Sequence, residues 1–336
     1  MSVRSITRYT SASGVVIYRI PVQVFPTLVA NVYVVVRDDY AALIDTGSGL
    51  GASDTHLRTG VESLRDTWED APGWSDLRRV VITHGHIDHH GGLGLVRSLT
   101  DAPLAVHELD RRVIVHHEER LIVSRFRLGI FLRRAGVDAA RCAALLPMYA
   151  WSKEVFRSLP VEDVLRDGDL LDGIFRVHHV PGHCSGQVCL QIDDILLSAD
   201  HILPRTSIFL SPESLNAFLG IDHYLQSLRK IAAVPNIRLA LGGHEEPVED
   251  VYGCIEQIEQ FQRSRIERTL AACNEPRTIA ELTAATYPDI GGYDQLLAIQ
   301  KIGAYVEYLD QRGMLEVANL DELADNDAVA IRYRQA

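Results

Sequence analysis

The sequence predicts an α/β protein, with one large sheet-containing domain that carries a helical insertion and a small helical appendage after it. Three observations carry that expectation. Short runs rich in Val, Ile and Tyr fill the first quarter and return between residues 175 and 200, each bounded by Gly, Pro or Asp, as strands of a sheet require. Between them, residues 107 to 158 are rich in Arg and Leu and helical in period. At 336 residues, the chain also exceeds the usual size of one domain.

Taken in order, "GVVIYRIPV", "NVYVVVRD" and "YAALIDTG" read as strands. "ASDTHLRTGVESLRDTW" reads as a helix capped by Ser53 or Asp54. "LRRVVIT" is a strand that stops at "ITHGHIDHHGG", residues 82 to 92, and "GGLGLVRSL" begins a helix at once. That order of strand, loaded loop and helix is where sheet-containing enzymes place chemistry, because a rigid scaffold holds a polar rim. The 107 to 158 stretch, with Phe126, Phe131, Tyr149, Trp151 and Phe156, suits a helical cap over a site. Strands resume at "FRVHHVPGH", "QVCLQID" and "DILLSAD". A helix from Glu213 to Val234, the strand "IRLALGG" and a long helix introduced by Pro247 follow. The tail reads as three helices and a short strand, a winged-helix-like order. The boundary falls near residue 263, dividing the chain into 1–262 and 263–336.

Composition excludes several partners. A net charge of −12 repels polyanions unless a basic patch overrides it. The arginines between Arg111 and Arg134 are interrupted by acids and follow a helical face, so nucleic acid is disfavoured. Five cysteines without a CxxC pair indicate a reducing compartment rather than a disulfide framework. No stretch has signal-peptide character or the 18 apolar residues of a membrane span. The expected location is the cytoplasm, with no membrane partner.

The loaded loop carries the chemistry. His84, His86, Asp88 and His89 offer four ligands within six residues. One tetrahedral ion could hardly be wrapped by all four, because Asp88 and His89 diverge from a tight turn. Two ions side by side resolve the crowding, His84 and His86 serving one, Asp88 and His89 the other. Gly85, Gly91 and Gly92 permit the backbone path and the close approach of the next helix. Further ligands stand at three strand ends: His183 in "VPGHCSG", Asp200 in "LLSADHIL" and His244 in "LALGGHEEP". A carboxylate such as Asp200 can place one oxygen on each ion. His56, His107, His116, His117 and His223 fall in apparent helices with ordinary roles. His178 and His179 precede "PGH" and stay unassigned, and His90 and His201 merely adjoin the ligands.

The "THGHIDHHGG" stretch, with His183, Asp200 and His244 following in order, resembles the metallo-β-lactamase superfamily over roughly residues 14 to 262. The branch it is most similar to is the lactamase-beta-2-like or glyoxalase II-like one. The resemblance implies an αββα sandwich with two metal ions at one sheet edge. It assigns His84, His86 and His183 to the first ion, Asp88, His89 and His244 to the second, and Asp200 to both. "ALIDTG" is similar to the family's first motif, whose aspartate, here Asp45, supports the ligands from behind.

Such a pair of divalent ions, roughly 3.5–4 Å apart, generates hydroxide at neutral pH and polarises a carbonyl or phosphoryl oxygen. Asp88 and Asp200 are the expected catalytic carboxylates, Asp88 orienting the nucleophile and collecting its proton. Zinc is the expected metal, and the mixed imidazole and carboxylate set also accepts iron or manganese. The acidic charge and aromatic cap favour a small-molecule thioester or ester as substrate. The alternatives are an endoribonuclease of the lactamase-beta-2-like type and a lactonase. Lys301 and Arg312 stand among Asp289, Asp294, Glu307 and Asp310 in the tail, which suits packing or a homodimer better than nucleic acid. A complete ligand set argues against a non-catalytic sensor.

Overall fold

The computed structural model describes residues 5–326 and 329–336. Residues 1–4 and 327–328, inside the limits of the division expected above, lie outside the described residues. The first sheet runs in the order β1 (Thr7–Thr10), β2 (Val16–Phe25), β3 (Leu28–Arg37), β4 (Tyr40–Ile44), β5 (Leu77–Ile82), β6 (Leu104–His107) and β7 (Asp163–Leu165). It is antiparallel from β1 to β4 and parallel from β4 to β7. The second sheet comprises β8 (Leu170–Leu171), β9 (Phe175–His179), β10 (Val188–Ile192), β11 (Ile195–Ala199) and β12 (Leu239–Gly242), ordered β12-β11-β10-β9-β8.

The helices are α1 (Ser53–Glu62), α2 (Leu64–Thr67), α3 (Ile87–His90), α4 (Leu93–Leu99), α5 (Arg111–Val115), α6 (His117–Arg134) and α7 (Ala139–Trp151), then α8 (Ile221–Ala232), α9 (Val251–Ala272), α10 (Ile279–Thr286), α11 (Gly292–Asp310) and α12 (Leu320–Asp325). A last pair of strands, β13 (Leu315–Val317) and β14 (Tyr333–Gln335), forms a small antiparallel ribbon.

Alternation along β2 explains the layering. Ile17 faces the space between the sheets, packed with Tyr33, Val35, Phe175, Val177 and Leu190, whereas Tyr18, Ile20 and Val22 face Leu57, Val61 and Leu93 of the helices outside. Successive side chains point to opposite faces, so a strand largely apolar on both faces must be covered on both sides. A third apolar cluster covers the outer face of the second sheet with Leu225, Leu228, Ile255, Leu296 and Tyr305. The result is a four-layer αββα sandwich, the fold class expected. Tyr33 bolts the sheets together, its hydroxyl donating to the Gly242 carbonyl at 2.6 Å.

Local expectations meet corrections. Ala52 is the N-cap of α1 and no side chain caps it; the Ser53 hydroxyl is taken by the Ser48 N–H at 2.9 Å instead. The helix expected from Glu213 begins at Ile221, after Gly220 adopts φ 102°. The helix expected from Pro247 begins at Val251, capped by Asp250, because Val248 pairs with Ala240 and extends the sheet. Two helices, not three, separate residue 273 from β13. His107 ends β6 rather than lying in a helix, and stacks on His179 with ring centroids 4.0 Å apart.

The boundary near 263 falls inside α9. Residues on both sides of it, from Leu128 and Leu132 of α6 to Ile299 and Tyr305 of α11, share one apolar cluster. All five cysteines are buried and unpaired. No helix of the described residues is long and apolar enough to cross a membrane.

Candidate metal centre

The candidate ligands converge where β4, β5, β9, β11 and β12 end along one edge of the sandwich. Three overlapping groups have donor atoms within 4.8 Å of one another: His84, His86 and His183; His84, His89 and Asp200; and Asp88, His89 and His244. All seven expected ligands are therefore brought together. Asp200 lies between the two outer groups. Its Oδ2 is 3.6 Å from His183 Nε2 and 3.5 Å from His244 Nε2, and its Oδ1 is 3.4 Å from His89 Nε2. Asp88 Oδ2 faces His244 Nε2 at 3.4 Å.

Local backbone geometry aims these groups. A register shift between Leu197 and Ala199 bulges β11 just before Asp200, and bulges re-aim the side chain that follows. Ala199 and Asp45 are left-handed at φ 46° and 63°, a conformation costing roughly 1–3 kcal/mol when a residue with a Cβ adopts it. The loop from 86 to 90 closes into one helical turn, α3, which turns Asp88 and His89 inward. Gly91 and Gly92 serve close approach: a Cβ on either would lie 2.1 Å from the Ser48 or Thr46 carbonyl oxygen. Gly243 does the same for the centre, where a Cβ would meet Asp200 Oδ1 at 2.4 Å and His89 Cε1 at 2.7 Å.

Four imidazoles are held from behind through Nδ1. His183 donates to the Phe209 carbonyl at 2.7 Å, His244 to the Val29 carbonyl at 2.8 Å and His89 to Asp45 Oδ2 at 2.8 Å. The Thr83 hydroxyl donates to Asp45 Oδ2 and so accepts from His84 Nδ1 at 3.1 Å. Asp45 thus supports both His84 and His89, as expected. This fixes the tautomer and turns each Nε2 toward the centre. Nε2 of His84, His89 and His183 and Oδ1 of Asp200 are buried without a hydrogen-bond partner among the described residues. Leaving such atoms unpaired costs about 1–3 kcal/mol each, and shared coordination of a cation would satisfy them together. The donor set fits divalent metal.

Electrostatics agree. Burial, with neighbouring imidazoles, holds His84 and His86 well below the ordinary histidine range and His183 also lowered, so this group is neutral and ligand-ready. Burial opposes charge at Asp88 and Asp200, yet His89 and His244 override it and keep both carboxylates ionised. Against the same burial penalty, those carboxylates raise His89 and push His244 up to about 10. A cation entering there competes with protons, so its uptake releases them.

Asp110, unmarked in the sequence, joins the two ligand loops. Its carboxylate accepts from Gly85 N–H at 2.8 Å, Gly186 N–H at 2.9 Å and Cys184 Sγ at 3.2 Å. It follows β6 as the ligands follow their strands, a signal hidden by reading residue 107 as helical. His90 packs on Phe156 and His117, and His201 on Tyr224, so neither points to the centre.

The centre opens into a cavity of about 1270 Å³. Tyr149 and Trp151 of the helical insertion line it, with Leu121, Met148 and Phe209. The other aromatics of the insertion do not: Phe126 is exposed, Phe131 packs on α11 and Phe156 is buried. Lys153 also lines it, its ammonium held over the Tyr149 ring and lowered to about 8 by burial.

A family profile described as Metallo-beta-lactamase superfamily matches residues 26–244, which contain every ligand named above. The chain belongs to the metallo-beta-lactamase superfamily. Within it, the chain is 32% identical over 196 residues to the human acyl-coenzyme A thioesterase MBLAC2 and 31% identical over 195 residues to the one from Bos taurus. Each match takes in 55% of this chain and spans 62% of the relative's length. It is also 24% identical to the probable metallo-hydrolase YqjP of Bacillus subtilis, over 89% of this chain and 93% of that one. A metallo-beta-lactamase family protein from Thermus thermophilus superposes with a TM-score of 0.76 at 23% identity, covering 95% of this chain and 98% of that one. A beta-lactamase domain protein from Burkholderia ambifaria gives 0.72 at 22% identity, with 98% and 95% covered. At those identities the superpositions establish the fold alone.

Proposed function

We propose that the chain is a dinuclear metal-dependent hydrolase of small-molecule thioesters, with acyl-coenzyme A thioesters as the first class to test. The observation that carries this reading is the position of Asp200 between two histidine groups that line a large, mainly apolar cavity. His84, His86 and His183 would hold one ion, Asp88, His89 and His244 the other, with Asp200 on both. When bound, such ions supply Lewis-acid polarisation of an acyl carbonyl and an acidified water. Zinc suits the imidazole-rich set best, and iron or manganese are the alternatives.

The protein's own groups do the rest. Asp88, ionised at the centre, orients the nucleophile and accepts its proton. Asp45 and Thr83 keep two imidazoles from rotating as charge develops. Tyr149 and Trp151 offer apolar surface to an acyl chain and shed water from the reacting carbonyl. The named thioesterase relatives support the substrate class, and the net charge of −12 weighs against RNA. The two-domain division at residue 263 and a homodimer remain part of this proposal, with the tail as packing partner.

The test loads the full chain with zinc and assays thiol release from a panel of acyl-coenzyme A thioesters beside cleavage of labelled RNA. We expect thioester turnover that chelation abolishes and zinc restores, with RNA intact. RNA cleavage without thioester turnover would reverse the assignment.

A further inference from the structure

We propose that the wall of the cavity built by α9 and α11 is a subsite for a phosphate-type anion, in which Arg265 and Lys301 hold the carrier end of a substrate whose acyl end lies at the metal centre. The inference rests on the thioesterase reading and adds which part of the substrate the tail recognises.

Both cations line the same cavity as the metal ligands. Among the described residues, neither forms an ion pair with a carboxylate. Lys301 Nζ donates at 2.9 Å to the carbonyl and the hydroxyl of Ser207. Arg265 lies over the Phe261 ring at 4.5 Å and donates to the Tyr287 hydroxyl, and its Nε is buried with no hydrogen-bond partner among the described residues. Burial and the nearby guanidinium lower Lys301 to about 7. Two like charges placed together in a half-buried wall are costly unless an anion joins them. A single carboxylate would leave one charge uncompensated, whereas a phosphate or diphosphate matches two cations and accepts from several donors. Asp294, an exposed residue of α11, also lines the cavity and marks its solvent side.

Position is compatible with the carrier end of a ligand reaching these groups. Ser207 lies two residues before Phe209, whose carbonyl holds His183. At 3.3–3.6 Å of chain per residue, the Lys301 ammonium is therefore no more than about 15 Å from His183 Nε2. That reach lies within the length of an extended thiol carrier, so its far end could meet these groups while its acyl end lies at the metal centre. Coenzyme A has phosphates at that end, and pantetheine is the same arm without them.

The experiment uses the zinc-loaded full chain with coenzyme A and pantetheine as calorimetric ligands, and the acyl thioesters of both as substrates. Arg265→Gln and Lys301→Met should each weaken coenzyme A binding about tenfold or more. Each should also lower the ratio of kcat/KM for acyl-coenzyme A over acyl-pantetheine by a similar factor, through KM. Lys301→Arg, which keeps the charge, should retain the ratio. An equal loss on both thioesters would mean that Lys301 only braces Ser207, and would overturn the subsite. If neither thioester turns over, the hydrolase reading fails and calorimetry alone decides. Coenzyme A binding that both variants lose then upholds the subsite, and no binding to the unaltered protein sinks it.

Discussion

The edge of the sandwich and the helical wall of the cavity are built on opposite principles. At the edge, four imidazoles have a second nitrogen tied to a carbonyl, hydroxyl or carboxylate, and their elements end on a doubly covered sheet. Along the wall, Tyr149, Trp151, Arg265 and Lys301 come from three different helices and reach the cavity as long, partly exposed side chains. The edge fixes atoms and the wall offers surface. The contrast leaves Tyr149 and Trp151 freer to vary than any ligand, because no hydrogen bond from their side chains reaches the metal centre among the described residues.

Breaking the edge should have the largest consequence. Asp200→Ala removes the group facing both histidine clusters, and we expect metal content and turnover to fall together, the rate by about a thousandfold or more. Asp88→Asn should cut the rate more than it cuts metal content; equal metal loss in the two variants, measured by elemental analysis, would contradict the division of roles. A smaller effect follows from removing support. Asp45→Ala frees His89 Nδ1 and the Thr83 hydroxyl, and metal affinity should drop about 10–100-fold, as a competitive chelator titration would show. Unchanged affinity would mean that packing alone orients the rings. The smallest effect belongs to the wall. Trp151→Ala should raise KM for long acyl chains by about three- to tenfold, since the indole is 64% exposed and gives up only part of a buried aromatic's transfer energy. Short chains should be nearly unaffected, and a uniform loss across chain lengths would place Trp151 outside the acyl path.

The same contrast explains what could be read from sequence. The sandwich was legible because strands buried on both faces are continuous runs of Val, Ile and Tyr, and the ligands because His84, His86, Asp88 and His89 lie so close in the chain. The supports were less so. His183 and His244 are held by the carbonyls of Phe209 and Val29, and a carbonyl belongs to every residue type. Asp110 was masked because β6 has only four residues before the helices begin. The cap expected at Ser53 or Asp54 and the helix starts expected at Glu213 and Pro247 were misplaced where a hydroxyl served another N–H, a left-handed glycine intervened or an extra bridge extended the sheet. Which insertion aromatics reach the cavity depends on how α6 and α7 pack against α11, and helical period alone does not carry that information.

One stretch crosses between the two regions. Residues 207–214 are clasped along α11, where Lys301 binds Ser207, Gln300 binds Ser211 and Glu307 accepts from Glu213 and Ser214, and midway the stretch presents the Phe209 carbonyl to His183. Swapping this tail for that of a paralogue would therefore retune a metal-facing ring as well as the recognition surface. A swap that keeps the metal-facing ring in place is therefore expected to exchange the strap and its helix together.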